Sequence, residues 1–189
     1  MSIEPSPEGP VFATFATRDT FEPVIVTTHE VPRERTPLTD AEIRTALAAG
    51  HVLAFGAEAS PVRLDVATAM VEFETDHGHA LWCFNFGNVD AAQGWTGGRF
   101  SLVADEGSGD STHSLRKMLR AYPSAEEGAA GYWRYLAEHH GAALAAFDSG
   151  DGDRAARALK RSGYFTGSVE AYAAGVASLA RSERRKRGG

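Results

Sequence analysis

Beyond Pro37 the chain is punctuated by helix starts and stops so closely spaced that a small bundle of helices is the fold they allow. Thr39-Asp-Ala-Glu42 is a capping box, in which the Thr side chain accepts the amide three residues on and the Glu carboxylate reaches back to the cap. The helix it opens is expected to run to about Ala49, with Gly50 as its stop. Ser60-Pro61 pairs a good N-cap with the residue best tolerated at a first helical position, and Gly78 suits the far end of that helix. Ser124-Ala-Glu-Glu127 is a second capping box and predicts a helix through about His140. Residues 153–162, closed by Gly163, and residues 169–181 complete the helical set. Residues 80–110 hold few helix signals and many glycines, which predicts a short β-hairpin and a loop. The pattern reads as a mainly α (α+β) domain without internal repeats.

Residues 1–36 read differently. Val11-Phe-Ala-Thr-Phe-Ala-Thr17 and Phe21-Glu-Pro-Val-Ile-Val-Thr-Thr28 are β-branched and aromatic, and Pro5, Pro7, Pro10, Pro23 and Pro32 interrupt them. An extended N-terminal arm with one or two short strands is expected, either docked on its own domain or added to a partner's sheet edge. The organisation is therefore an arm over 1–36, a helical domain over 37–182 and a basic tail over 183–189. The run Arg181-Ser-Glu-Arg-Arg-Lys-Arg187 reads as a solvated tail, with an anionic polymer or an acidic partner as the alternative.

The segment 62–78 carries the chemistry. At about 100° per residue, Val66, Met70 and Phe73 fall together on one side, and Leu64, Ala67 and Val71 gather on another. Glu74 projects between these two apolar groups. Asp65, Glu72 and Asp76 cluster on the opposite side, where a solvated acidic face is expected. A carboxyl desolvated by Met70, Val71 and Ala67 has a raised pKa and keeps a proton near neutral pH, which is what a general acid requires. The alternative is a Glu that rims the helix end and reaches water.

Composition excludes several classes. The net charge of −6 argues against a nucleic-acid binder, and no apolar run approaches the length of a membrane span. Cys83 is a single cysteine, so an intrachain disulfide is ruled out and a buried small hydrophobe is the natural reading. His77 and His79 lie near Asp76 and Glu74, but a third ligand at a usual zinc spacing is not evident, so no metal and no cofactor is expected. The first ten residues have neither a basic start nor an apolar core, so a secretory signal is not expected.

Four segments then fall in register. Glu74-Thr75-Asp76-His77-Gly78, Asn85-Phe86-Gly87-Asn88-Val89, Leu119-Arg120-Ala121-Tyr122-Pro123-Ser124 and Gly163-Tyr164-Phe165-Thr166-Gly167 resemble, in this order, motifs of the glucosaminidase (muramidase) family of peptidoglycan hydrolases. That family includes the flagellar rod-cap muramidase domain and autolysin glucosaminidases. The resemblance runs from about Pro61 to Arg181 and departs from the pattern where His77 replaces an aromatic and Gly167 an Asp.

The resemblance implies a lysozyme-like helical domain and cleavage of a β-1,4 bond in the wall glycan, with Glu74 as acid. It implies that Tyr164 hydrogen-bonds the reacting sugar, and that Phe86, Tyr122, Phe165 and Thr166 contact substrate. Asn85 and Asn88 can offer amides to an acetamido group and Trp95 a stacking platform; a turn closed by Asn and Gly around a buried aromatic is the other reading. Asp90, Asp105 and Glu106 are available as a second carboxylate, and the substrate's own acetamido group could replace one. The expected partner is the peptidoglycan strand. Without a signal such an enzyme is cytoplasmic when made and reaches the wall by release or as part of a phage or phage-like particle, which the arm could bind. A structural particle component with the same fold is the rival reading.

Overall fold

A computed structural model describes residues 29–188 apart from Gln93 and residues 107–112. The described chain forms β1 (His29–Glu30), α1 (Asp40–Phe55), α2 (Pro61–Glu74), β2 (Gly98–Glu106), β3 (His113–Ala121), α3 (Ala125–His139), α4 (Gly141–Phe147), α5 (Gly152–Arg161) and α6 (Val169–Gly188). The sheet order is β1-β2-β3, with β1 parallel to β2 and β2 antiparallel to β3, from Gly98 opposite Ala121 to Glu106 opposite His113. The mainly α (α+β) expectation holds, and the caps lie where the sequence places them. Thr39 and Glu42 form the reciprocal box, Ser60 accepts the Arg63 amide ahead of Pro61, and Ser124 accepts the Glu127 amide.

Several boundaries differ from expectation for local physical reasons. Helix α1 does not stop at Gly50; it runs five residues further and closes on Gly56, whose φ of 70° is the left-handed conformation glycine adopts without penalty. Gly50 serves the crossing with α3 instead, because a Cβ there would lie 2.6 Å from Ala129 Cβ and 2.7 Å from the Ala130 nitrogen. Helix α2 ends at Glu74 with Thr75 as its cap. Gly78 (φ 82°) lies in the following turn, pressed against the Leu38 carbonyl so closely that a side chain cannot enter. The hairpin spans 98–121 rather than 80–110. Helix α4 escapes the sequence because its cap position, His140, makes no side-chain capping bond.

The basic run is helical, and residues 184–188 stay exposed as expected of it. Helix α6 continues through Arg181 to Gly188, because its last turns meet carboxylates of α1 and α2. Lys186 Nζ lies 3.1 Å from Asp40 and 2.6 Å from Glu183, and Arg187 Nη2 lies 3.0 Å from Asp65.

The main core lies between α1, α2 and α3. Trp133, Tyr132, Leu47, Met70 and Phe147 are fully buried there, and the indole of Trp133 donates to the Leu47 carbonyl at 2.9 Å. A smaller cluster of Cys83, Phe100 and Leu119 sits under the sheet, with the free thiol buried as expected. The described part of the arm docks on its own domain: the Val31 amide donates to the Arg99 carbonyl, Thr36 to Leu81, and Cys83 to Glu34. The strand segments expected at 11–17 and 21–28 lie outside the described residues.

Candidate active site

The rotation of α2 fixes which carboxyl can do chemistry. Asp65 and Glu72, expected on a solvated face, are buried with 0% and 1% of their surface exposed, while Phe73, expected in the core, is 41% exposed and packs edge-on against Tyr172. The helical wheel shows two apolar stripes and an acidic one; it does not show that α6 lies over the acidic one and brings cations to it. Asp65 is held by Arg44 Nη1 and Arg187 Nη2, each at 3.0 Å. Asp76 stays exposed in the turn, at a φ of 50°.

Glu72 has no such bond. Both of its carboxylate oxygens are buried without a hydrogen-bond partner, and Lys186 Nζ stands 3.9 Å away. Burial, followed by the negative charges of Glu183 and Asp40, pushes its pKa up to about 7. The folded value lies above the ordinary one of 4.5, so this group's contribution to stability is intact below that pH and is lost as pH rises through 7. Glu72→Gln is therefore expected to match its parent in acid and to be more stable by about 1–3 kcal/mol near pH 8. Denaturant titration at the two pH values measures this; a variant weaker near pH 8 would show instead that the charged Glu72–Lys186 contact is net stabilising.

Asp40, Glu72 and His77 are also the described residues best placed to hold a metal, with one ligand atom from each within 4.8 Å of the others. The positive charge at this cluster is already the Lys186 ammonium, and His77 Nδ1 lies 3.2 Å from Asp40. His79 is exposed and stands outside the group.

Glu74, the last residue of α2, is half-buried and lines a cleft of 940 Å³. Burial raises its pKa, with the Tyr172 hydroxyl opposing part of the shift. That hydroxyl is buried and makes no hydrogen bond of strict geometry, so its contact with the carboxyl is a loose one. Glu72 and Glu74 thus both have raised pKa values. Only Glu74 opens on a cleft, and access separates the two where titration does not.

Tyr164 follows α5 and lines the same cleft. Its hydroxyl lies 3.4 Å from where a Cβ on Gly87 would stand, interacts with the Tyr132 hydroxyl and feels the charge of Glu74. Burial keeps the phenols of Tyr132, Tyr164 and Tyr172 protonated far above neutral pH, so they surround Glu74 as uncharged donors.

The remaining expected residues divide. Asn88 and Phe165 line the cleft. Asn85 does not present its amide to a ligand: Nδ2 donates to the Val89 and Arg120 carbonyls at 3.0 Å each, and Oδ1 accepts the Val89 amide at 2.8 Å, so it closes the loop from within. Phe86 is buried in the core. Trp95 and Tyr122 pack edge-on, 5.4 Å between ring centres, and line neighbouring grooves instead of the Glu74 cleft. Thr166 is exposed, and its carbonyl accepts from Lys160 Nζ at 2.6 Å. Asp90 lines the cleft; the side chains of Asp105 and Glu106 lie outside those described. Tyr135, His140 and Ser162 also line it, and sequence reading missed all three. The one signal for Tyr135 and His140 was a run of aromatic and histidine residues at the end of a capped helix; Ser162, the cap of α5, had none.

No protein-family model and no curated protein sequence matches the chain. Solved structures do. The glycoside hydrolase domain of Salmonella typhimurium FlgJ superposes with a TM-score of 0.55 at 19% identity, covering 79% of this chain and 91% of that one. The peptidoglycan hydrolase of Sphingomonas sp. A1 gives 0.55 at 22% identity, covering 78% and 92%. The catalytic domain of the Listeria monocytogenes autolysin Auto gives 0.54 at 16% identity, covering 93% and 97%. The chain has the fold of these domains. The lysozyme-like helical architecture expected from the four motifs is thereby established, with Glu74 at the C-terminus of its second helix.

Proposed function

We propose that this protein is a peptidoglycan hydrolase that cleaves β-1,4 bonds of the wall glycan with Glu74 as general acid. The observation that carries the reading is a carboxyl of raised pKa, half-buried at a helix end, opening on a cleft of 940 Å³ beside uncharged tyrosine hydroxyls. The fold shared with peptidoglycan hydrolase domains supports the substrate class. A glycosidic oxygen leaves as an alkoxide unless it is protonated as the bond breaks, so a carboxyl that burial keeps protonated to higher pH than an exposed Glu lowers the main barrier. Tyr164 stands beside Glu74 as a donor to the reacting sugar. Asp90, exposed in the cleft, is the described carboxylate available to activate water; the substrate acetamido group is the alternative nucleophile.

Digestion of purified peptidoglycan followed by mass spectrometry tests this. Soluble disaccharide-containing fragments are expected, and their ends sort the reaction: a reducing sugar marks hydrolysis, and a 1,6-anhydro end, lighter by one water, marks transglycosylation. Intact glycan strands after exhaustive incubation would overturn the reading.

A further inference from the structure

We infer that His140 is a substrate-binding residue, whose Nε2 is a fixed, uncharged acceptor for a sugar O–H or acetamido N–H in the Glu74 cleft; the inference rests on the hydrolase reading above. The side chain is 6% exposed, and its backbone is pinned at the junction of α3 and α4. The His140 amide donates to the Leu136 carbonyl at 2.8 Å, and its own carbonyl accepts from the Ala143 and Leu144 amides. The ring packs edge-on against Tyr164, 5.2 Å between centres, and against Tyr135 at 5.3 Å.

The proposed tautomer rests on one proton. Ser162, at the end of α5, donates its hydroxyl hydrogen to the Leu159 carbonyl at 2.9 Å, and a carbonyl can only accept. His140 Nδ1 lies 2.8 Å from that same hydroxyl oxygen. With the hydroxyl hydrogen on the Leu159 carbonyl, Nδ1 carries the ring proton and donates it to Ser162. Burial, reinforced by the neighbouring His139, lowers the pKa of His140 and keeps the ring neutral, so Nε2 is left with a bare lone pair.

That lone pair is poorly used within the protein. Its nearest partner, the Tyr135 hydroxyl, is 3.4 Å away, well beyond the usual length of about 2.8 Å for a bond from a hydroxyl. Asp90 offers an exposed carboxylate elsewhere in the cleft, but the groups nearest the catalytic carboxyl are donors or are spent. Glu74 is protonated when active, Arg120 Nε donates to the Asp90 carbonyl, and the Asn85 amide is closed inside its loop. An N-acetylated glycan brings several O–H and N–H donors, each of which loses water on entering the cleft and needs an acceptor there. On the helical wall, beside Tyr164, Nε2 supplies one.

The test reads the ring nitrogens directly. Long-range proton–nitrogen NMR on full-length Glu74→Gln protein, which cannot cleave, should show His140 protonated at Nδ1 and bare at Nε2. The Nε2 resonance should move when a peptidoglycan tetrasaccharide is added. His140→Asn, which can keep the bond to Ser162 but offers nothing at Nε2, should bind the tetrasaccharide about ten-fold more weakly by calorimetry. His140→Gln, which places an amide near Nε2, should stay within about three-fold of the parent. A proton on Nε2, an Nε2 signal indifferent to the tetrasaccharide, or a folded His140→Asn that binds as tightly as its parent overturns the inference while leaving the hydrolase reading in place. Absence of both binding and cleavage in the parent chain removes both. The nitrogen signals come from unmutated His140, so an unfolded variant does not blunt the test.

Discussion

Glu74→Gln is expected to fold like its parent and to lose wall lysis by about two to four orders of magnitude. The substitution keeps the volume and most of the polarity of a half-buried side chain and removes only the transferable proton. The sign of the stability change makes the result diagnostic. Burial holds the Glu74 pKa above the ordinary carboxylate value, so at neutral pH the charged form costs the folded state some stability, and that cost is absent at low pH. A neutral Gln should melt at or slightly above the parent at pH 7, so lost activity with undiminished melting cannot come from unfolding. The lytic rate of the parent should persist above the ordinary carboxylate range and fall as Glu74 ionises. Glu72→Gln is the control on the same helix: it titrates too, but it is sealed beneath α6 and should leave turnover unchanged. If the Glu72 variant were the inactive one, the site would lie on the α6 side of α2.

Tyr164→Phe separates packing from chemistry. The ring and its edge-on contact with His140 remain, and only the hydroxyl beside Glu74 and Tyr132 is lost. A hydrogen bond that strengthens in the transition state is worth about 2–4 kcal/mol, so turnover should fall about ten- to a thousand-fold while KM changes little. Melting should shift by no more than loss of one phenol contact allows, about 1 kcal/mol. Both quantities are to be read on one preparation. A fully active Phe variant would remove Tyr164 from the mechanism and leave the role to Tyr172.

The local elements were legible because their signals are local. Thr39 with Glu42, Ser60 with Pro61, and Ser124 act on backbone amides two or three residues away, so no other part of the chain can change their meaning. Glu74 was legible for a related reason, since its position between two apolar stripes is a property of one helix. The glycines were harder to read. Gly50 looks like a stop until α3 is seen crossing it, and Gly78 is required by the Leu38 carbonyl, not by the helix before it. The loop residues were harder still: Asn85 and Asn88 are alike in sequence, yet one closes a turn from inside and the other faces the cleft.

By itself, then, the sequence determined the helical class, the capped starts and a carboxyl out of place on an apolar face, all set by interactions within a few residues. Only the tertiary structure decided which acidic side chains are buried, because α6 brings Lys186 and Arg187 over α2 from more than a hundred residues away. It alone assembled the cleft, where Glu74, Tyr164 and His140 meet from three separate segments. Desolvation and long-range pairing depend on what packs against a residue, and no spacing along the chain records that.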